Sequence, residues 1–165
     1  MQAVIRELGR PGDLGWVVMA HGEIYAREFG WDQSFEALVV RIVADYAQCR
    51  EPALEAAWIA ELDGRRAGSV FLVRDDEPAT AKLRILLVDP AARGHGLGAG
   101  LVAECVAFAR KAGYARVTLW TNDNMAAARR IYQAAGFVLD HEYAHRSFGH
   151  DLIGQTWTLR LTAAG

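Results

Sequence analysis

The chain has 165 residues, about one domain by length. With 52% hydrophobic and 23% charged residues it can fill a sizeable core. The formal net charge of −2 gives no general attraction to nucleic acid or to an anionic membrane surface. No apolar run is long enough for a transmembrane helix, and the N-terminus lacks the charged and apolar regions of a secretory signal. Cys49 and Cys105 both fall on helix-like patterns. A disulfide framework is therefore not expected; buried small side chains and a cytoplasmic location are.

In chain order, Ala3 to Leu8 reads as a first strand, followed by a turn at Pro11-Gly12-Asp13 with Asp13 as helix N-cap. Leu14 to Phe29 reads as a helix stopped by Gly30. Phe35 to Cys49 is a second helix, with Leu38, Val39, Ile42, Val43 and Tyr46 on one stripe and Asp32 or Ser34 as its cap. Ala57 to Leu62 and Arg66 to Val73 are strands joined by Asp63-Gly64, a strong hairpin signal between apolar runs. After an acidic connection at Asp75-Asp76-Glu77, Ala81 to Val88 is a central strand. Leu97 to Ala112 is a helix with a C-cap pattern at Gly113. Val117 to Thr121 is a strand and Met125 to Ala135 a helix ended by Gly136. Phe137 to Tyr143 and Gln155 to Leu161 are the last strands, and Ala144 to Gly154 reads as a loop carrying His145, His150 and Asp151. The order β-α-α-β-β-β-α-β-α-β-β, without repeats or linkers, predicts an α/β (α+β) single domain over residues 3–163 with a mixed sheet.

The most informative stretch is Val88-Asp89-Pro90-Ala91-Ala92-Arg93-Gly94-His95-Gly96-Leu97-Gly98. A strand, a glycine-rich turn and a helix follow one another directly. The first N–H groups of a helix are unpaired and its dipole puts partial positive charge there. Glycines let a ligand come close to that backbone, so the segment suits an anion such as pyrophosphate. A P-loop is excluded because no Lys-Ser or Lys-Thr follows the glycines. The dinucleotide fingerprint lacks its acidic residue about 20 positions on, where Thr118 to Thr121 stands. A turn that merely caps the helix is the plainer alternative.

Arg93-x-x-Gly96-x-Gly98 resembles the acetyl-CoA loop of the GCN5-related N-acetyltransferase (GNAT) family. Asn124-Met125-Ala126-Ala127-Ala128-Arg129-Arg130-Ile131-Tyr132, ending at Gly136-Phe137, resembles that family's second motif. The two occur in the right order with a strand between them, and the element order also matches the GNAT acyl-CoA N-acyltransferase fold. His21-Gly22-Glu23-Ile24-Tyr25, Gly30-Trp31 and Ser147-Phe148-Gly149 add a resemblance to the acetyltransferase halves of two-part proteins with a MarR-type DNA-binding half. No such half is present in this chain.

The resemblance implies an N-acetyltransferase that moves an acetyl group from acetyl-CoA to a primary amine by direct attack in a ternary complex. It makes Arg93, Gly94, His95, Gly96, Leu97 and Gly98 the pyrophosphate set, and Leu86 and Val88 backbone contacts to the pantetheine and acetyl group. It makes Tyr132 the acid that protonates the leaving thiolate. Asn124 lies one residue outside the family's spacing, so contact with the cofactor stands beside a capping role for Asn122-Asp123-Asn124. The base has no fixed motif. Glu28 and His145 are the base or acceptor-site candidates, with Glu23, Tyr25, His150 and Asp151 in the same regions. Trp31 shapes the acceptor pocket or belongs to the core. His141, Glu142 and His145 match no common metal spacing, and no metal is expected. The partner is an amine acceptor, small molecule or peptide or protein, with no nucleic acid and no membrane, and dimerisation is common in the family. The alternative function is a non-catalytic acyl-CoA-binding or sensing module.

Overall fold

The computed structural model describes residues 2–161; positions 162 and 163 of the expected domain lie outside them. Strand β1 (Ala3–Glu7) precedes helices α1 (Asp13–Phe29) and α2 (Gln33–Cys49). Strands β2 (Ala56–Leu62), β3 (Arg65–Arg74) and β4 (Thr80–Val88) lead to a short 3₁₀ turn, Pro90–Ala92, and helix α3 (Leu97–Ala112). Strand β5 (Arg116–Asn122), helix α4 (Ala126–Ala134) and strands β6 (Val138–Ser147) and β7 (His150–Arg160) complete the chain. The strands form one seven-stranded mixed sheet in the order β1-β2-β3-β4-β5-β7-β6. Only β4 and β5 pair in parallel; the crossover between them is α3.

The apolar run of β2 and β3 is explained by helices on both faces of the sheet. Successive side chains alternate, so Trp58, Ala60, Val70 and Leu72 join the core under α3 and α4. Their neighbours Ala57, Ile59 and Phe71 join the core under α1 and α2. A strand buried on both faces shows no polar alternation, as these do not. Helix α1 buries Val17, Ala20, His21, Ile24 and Tyr25, a stripe at helical spacing. Leu101, Val102, Cys105 and Ala109 do the same on α3.

The Asp63-Gly64 hairpin forms with both residues at positive φ, 51° and 79°, which matches the twist of the flanking strands. The Asp32 carboxylate accepts from the Ser34 N–H at 2.9 Å and caps α2. Asp13 is not the cap of α1: Gly12 holds that position, and Asp13 is fully buried in the first turn. Its carboxylate accepts from Arg6 twice, from Arg66 Nε and from the N–H groups of Gly9 and Arg10. Cys49 is exposed at the end of α2, where its stripe turns from the sheet, whereas Cys105 is buried.

The expected loop 144–154 is replaced by a long hairpin. Phe148 and Gly149, at φ 58° and 84°, make a tight turn, so β6 and β7 stay paired from Val138↔Thr158 to Ser147↔His150. Strand β6 is a sheet edge and is exposed or nearly so along its length. Without a buried face it lacks the apolar alternation by which a strand is read. Trp31, tilted, and Phe35, edge to face, pack on Phe148 at 4.8 and 5.1 Å between ring centroids and hold the hairpin tip against the α1–α2 junction. The Asp32 N–H donates to the Phe148 carbonyl at 3.1 Å, completing that anchor.

Candidate active site

The site begins with a split in the sheet. Strands β4 and β5 pair only from Thr80↔Arg116 to Leu83↔Leu119. Strand β4 carries an extra residue against β3 between Ser69 and Phe71, and Ile85 there takes φ 47°, an uncommon conformation for a β-branched residue. Beyond this bulge β4 runs on to Val88 with no partner strand on its β5 side. The gap opens at the carboxyl ends of two parallel strands, where such sheets bind ligands. A cavity of about 570 Å³ occupies it, lined by His21, Tyr25, Lys82, Arg84, Asn122 and Tyr132 among others. A second cavity of about 340 Å³ lies between α1, the end of β4 and α4. Tyr25, Leu86 and Met125 line both, so the two share a wall.

The turn after β4 is built by local rules. Asp89 accepts from the Ala91 N–H and Pro90 starts the 3₁₀ turn. Gly94 and Gly96 sit at φ 88° and 73°, and a Cβ at either would meet no atom within 4 Å. Backbone conformation, not packing, therefore demands glycine, and the space before α3 is open. Helix α3 starts without a side-chain cap, and its first helical acceptor contact is Gly100 N–H to Gly96 carbonyl. The N–H groups of Leu97, Gly98 and Ala99 have no carbonyl one turn back within the helix. Gly98 has a different duty: a Cβ there would stand 2.5 Å from Ile131 Cδ1, so glycine lets α3 approach α4.

Arg93 and Gly94 to Gly96 are exposed beside this space, while Leu97 and Gly98 are buried. Arg93 is ion-paired to Glu28 at 2.7 Å. Both line the smaller cavity together with Val88 and Asn124. The Leu86 carbonyl accepts from the Tyr25 hydroxyl at 3.3 Å. The Asn122-Asp123-Asn124 run does not cap α4 with a side chain: the cap position is Met125, without a side-chain bond, and Asn124 is an exposed residue ahead of it. Tyr132 is 4% exposed, lines the larger cavity and makes no hydrogen bond through its hydroxyl among the described residues. Burial, then the neighbouring Tyr25 and Cys105, push its hydroxyl far above the usual phenol range, so it holds its proton at neutral pH.

The histidines of the expected loop lie on paired strands. His145, on β6, donates from Nε2 to Asn122 Oδ1 at 2.9 Å, and its Nδ1 meets the Ser147 hydroxyl at 2.9 Å. Both ring nitrogens are thus engaged. His150 donates to the Gly30 carbonyl at the end of α1, and Asp151 pairs with Arg146 at 3.1 Å. Glu23 is exposed on α1, and Trp31 is a core residue that also borders the larger cavity.

Residues outside the sequence expectations complete the cleft. His21 is fully buried; Nδ1 donates to the Val17 carbonyl at 2.7 Å, while Nε2 has no partner among the described residues. Burial drives its pKa down to about 4, against the pull of the Val17 and Ile85 backbone, so the ring is neutral at pH 7. Asn122 Nδ2 and Trp120 Nε1 are also buried without partners. Lys82 and Arg84 line the same cavity from β4. Their signal was in the sequence: two cations alternating inside an otherwise apolar central strand.

This geometry matches known proteins along most of its length. The model of the Acetyltransferase (GNAT) family matches residues 18–137. An uncharacterized N-acetyltransferase of Schizosaccharomyces pombe is 28% identical over 121 residues, covering 73% of this chain and 74% of that protein. Human N-acetyltransferase 8B is 34% identical over 84 residues, covering 48% of this chain, which spans only 37% of that protein. The structure of a proposed acetyltransferase from Salmonella typhimurium with its cofactor acetyl-CoA superposes with a TM-score of 0.76 at 17% identity, over 97% of this chain and 94% of that one. The split between β4 and β5, the glycine turn ahead of α3 and a family match spanning both make this chain a member of the acetyltransferase (GNAT) family.

Proposed function

We propose that the protein transfers an acetyl group from acetyl-CoA to a primary amine by direct attack within a ternary complex. The observation that carries this reading is the conjunction of open space and free donors at the start of α3 with an unpaired β4 edge leading into a cleft lined by polar and aromatic side chains. The glycine turn suits the pyrophosphate: the N–H groups from Leu97 to Ala99 and the helix dipole favour an anion there. Arg93 is held near it by Glu28. The free edge of β4 at Leu86 and Val88 suits an extended amide chain, which would pair with it as an added strand. Asn124 borders that path.

The chemistry then falls to the residues of the split. The amine lone pair attacks the thioester carbon, a C–N bond forms, the C–S bond breaks, and a proton passes from nitrogen to solvent. Tyr132 gives its proton to the departing thiolate and regains one from water. Neutralising an amine of pKa about 10.4 at pH 7 costs about 4.6 kcal/mol, whereas releasing a thiolate of pKa about 8.5 costs about 2 kcal/mol. Deprotonation of the acceptor is therefore the larger demand. Glu28 is held in an ion pair and His145 is bonded at both nitrogens, so neither is a ready base. His21 is neutral at pH 7 and borders the cleft with Nε2 beside the Ile85 backbone.

Calorimetric titration with acetyl-CoA, beside Gly96→Glu, tests the reading. The substitution sets bulk and negative charge in the open space and is expected to abolish binding, whereas Gly96→Ala, which carries the backbone strain alone, is expected to weaken it less. Tyr132→Phe is expected to bind acetyl-CoA unchanged and to lose about 10²-fold in kcat, the low end of general acid help. Failure of the unmodified protein to bind acetyl-CoA overturns both the transferase and the sensing alternative. Binding without transfer to any amine would leave the sensing module.

A further inference from the structure

We infer that the acceptor is a primary amine that also carries an anionic group, a carboxylate or a phosphate, held by Lys82 and Arg84 where β4 lines the cleft, with Asn122 bordering the same cavity from β5. This rests on the amine-acetylation reading above and names its substrate class.

Strand alternation puts Lys82 and Arg84 on one face of β4, opposite Ala81 and Leu83, which belong to the core under α3. Both cations are partly buried and both line the cleft. Neither makes a salt bridge or side-chain hydrogen bond among the described residues. By contrast Arg6 and Arg66 share Asp13, and Arg6 also meets Glu61, while the partly buried Arg116 and Arg129 bond only to the Thr80 hydroxyl and the Asp123 carbonyl. Asp75 and Glu77 border the same cavity but stand beyond ion-pair distance. Burial, and for Lys82 the charge of Arg84, pull both pKa values down; Asp45 and Asp75 oppose this at Arg84, and Asp75 and Asp76 at Lys82, from beyond ion-pair distance and only in part. Two like charges held together without a counter-ion are costly to bury, and an anion between them removes that cost.

The opposite wall points the same way. Asn122 and Trp120 border the cavity from β5, and their Nδ2 and Nε1 donors are buried without acceptors. As placed, Asn122 Oδ1 meets His145 Nε2 at 2.9 Å, which leaves Nδ2 as the group without a partner. Unpaired buried donors are rare and mark a missing partner. Lys82, Arg84 and Asn122 Nδ2 are donors, so an acceptor or anion is what suits them, whereas Trp120 Nε1 lies against Gly154 and Tyr143 at the β7 side of the cavity. Arg84 lies two residues before Leu86, about 7 Å along the strand. The length of the acceptor between its amine and its anionic group is left to the series of acceptors below.

The test uses the full chain and a thiol-release assay with acetyl-CoA. The acceptors are glycine, β-alanine, γ-aminobutyrate and ε-aminocaproate, their primary amides, cadaverine, and phosphoethanolamine as the phosphate arm. The expected result is a kcat/KM at least tenfold higher for the best carboxylate or the phosphate than for the matched amides and the diamine. Lys82→Met and Arg84→Met should erase that preference through KM, and Lys82→Glu should shift it toward cadaverine, a gain that misfolding cannot imitate. Equal or better acetylation of the amides or of cadaverine by the unmodified protein overturns the inference, as does a preference that survives both Met variants. Calorimetric titration of ε-aminocaproate and phosphoethanolamine into the CoA-saturated protein gives a readout independent of turnover. Binding lost in the Met variants supports the anion site, and no binding of either probe overturns it. Acetyl-CoA binding, measured first, separates this failure from failure of the transferase reading.

Discussion

Asp13 and His21 are both fully buried polar residues on α1, two turns apart, and they are treated in opposite ways. Asp13 receives five hydrogen bonds, from Arg6 twice, Arg66, Gly9 and Arg10. Burial pushes its carboxyl up, but those donors outweigh burial and hold it well below the usual carboxylate range. His21 has one nitrogen satisfied and the other bare, and it has given up its charge. Away from the cleft, the buried carboxylates of Asp13 and Glu55 are both paired. At the split between β4 and β5, His21, Asn122, Trp120, Lys82 and Arg84 are left short of partners. The difference separates what α1 does for stability at its first turn from what it offers a ligand two turns later.

The comparison breaks most visibly at Asp13. Asp13→Ala would leave Arg6 and Arg66 without their shared carboxylate, and removing one partner of a buried network costs about 3–5 kcal/mol. Chemical denaturation should show that loss, while acetyl-CoA affinity of the folded fraction stays unchanged because the network is remote from both cavities.

His21 gives the next largest effect, and it depends on pH. An unfolded histidine binds its proton near 6.5 and the folded His21 only near 4. Between those values the unfolded state holds more protons, so stability is full above pH 6.5 and falls as pH drops toward 4. The integrated loss is about 3 kcal/mol. Denaturation midpoints measured from pH 7 to pH 4 should trace it, and His21→Gln should flatten that window. An unchanged slope in the variant would mean that another group titrates there.

The smallest effect sharpens the contrast at the cleft mouth. The Arg93–Glu28 pair is largely exposed, with side chains 49% and 26% accessible. Glu28→Gln should cost less than about 1 kcal/mol in stability. Its kcat should fall by less than the roughly 10²-fold expected for loss of a general base. A larger fall would restore Glu28 as the base.

The sequence was legible where one rule decided the outcome alone. The glycines at 94 and 96, the Asp63-Gly64 turn and the stripes of α1, α2 and α3 follow from backbone conformation and periodicity. It was misleading at residues 144–154, because an exposed edge strand has no buried face to impose alternation. It was silent on the pairing of Glu28 with Arg93 and of His145 with Asn122, which join positions 65 and 23 residues apart.

By itself, then, the chain determined its elements, their order and the anion-ready turn, since each depends on neighbours within a few residues. Only the tertiary structure decided which polar groups are satisfied and which stay bare, because their partners come from distant strands. The bulge at Ile85 is the plainest case: it ends the pairing of β4 with β5 and so sets where the cleft opens. Ile85 packs against the core shared by α1, α2, β2 and β3, and no local sequence rule contains its conformation.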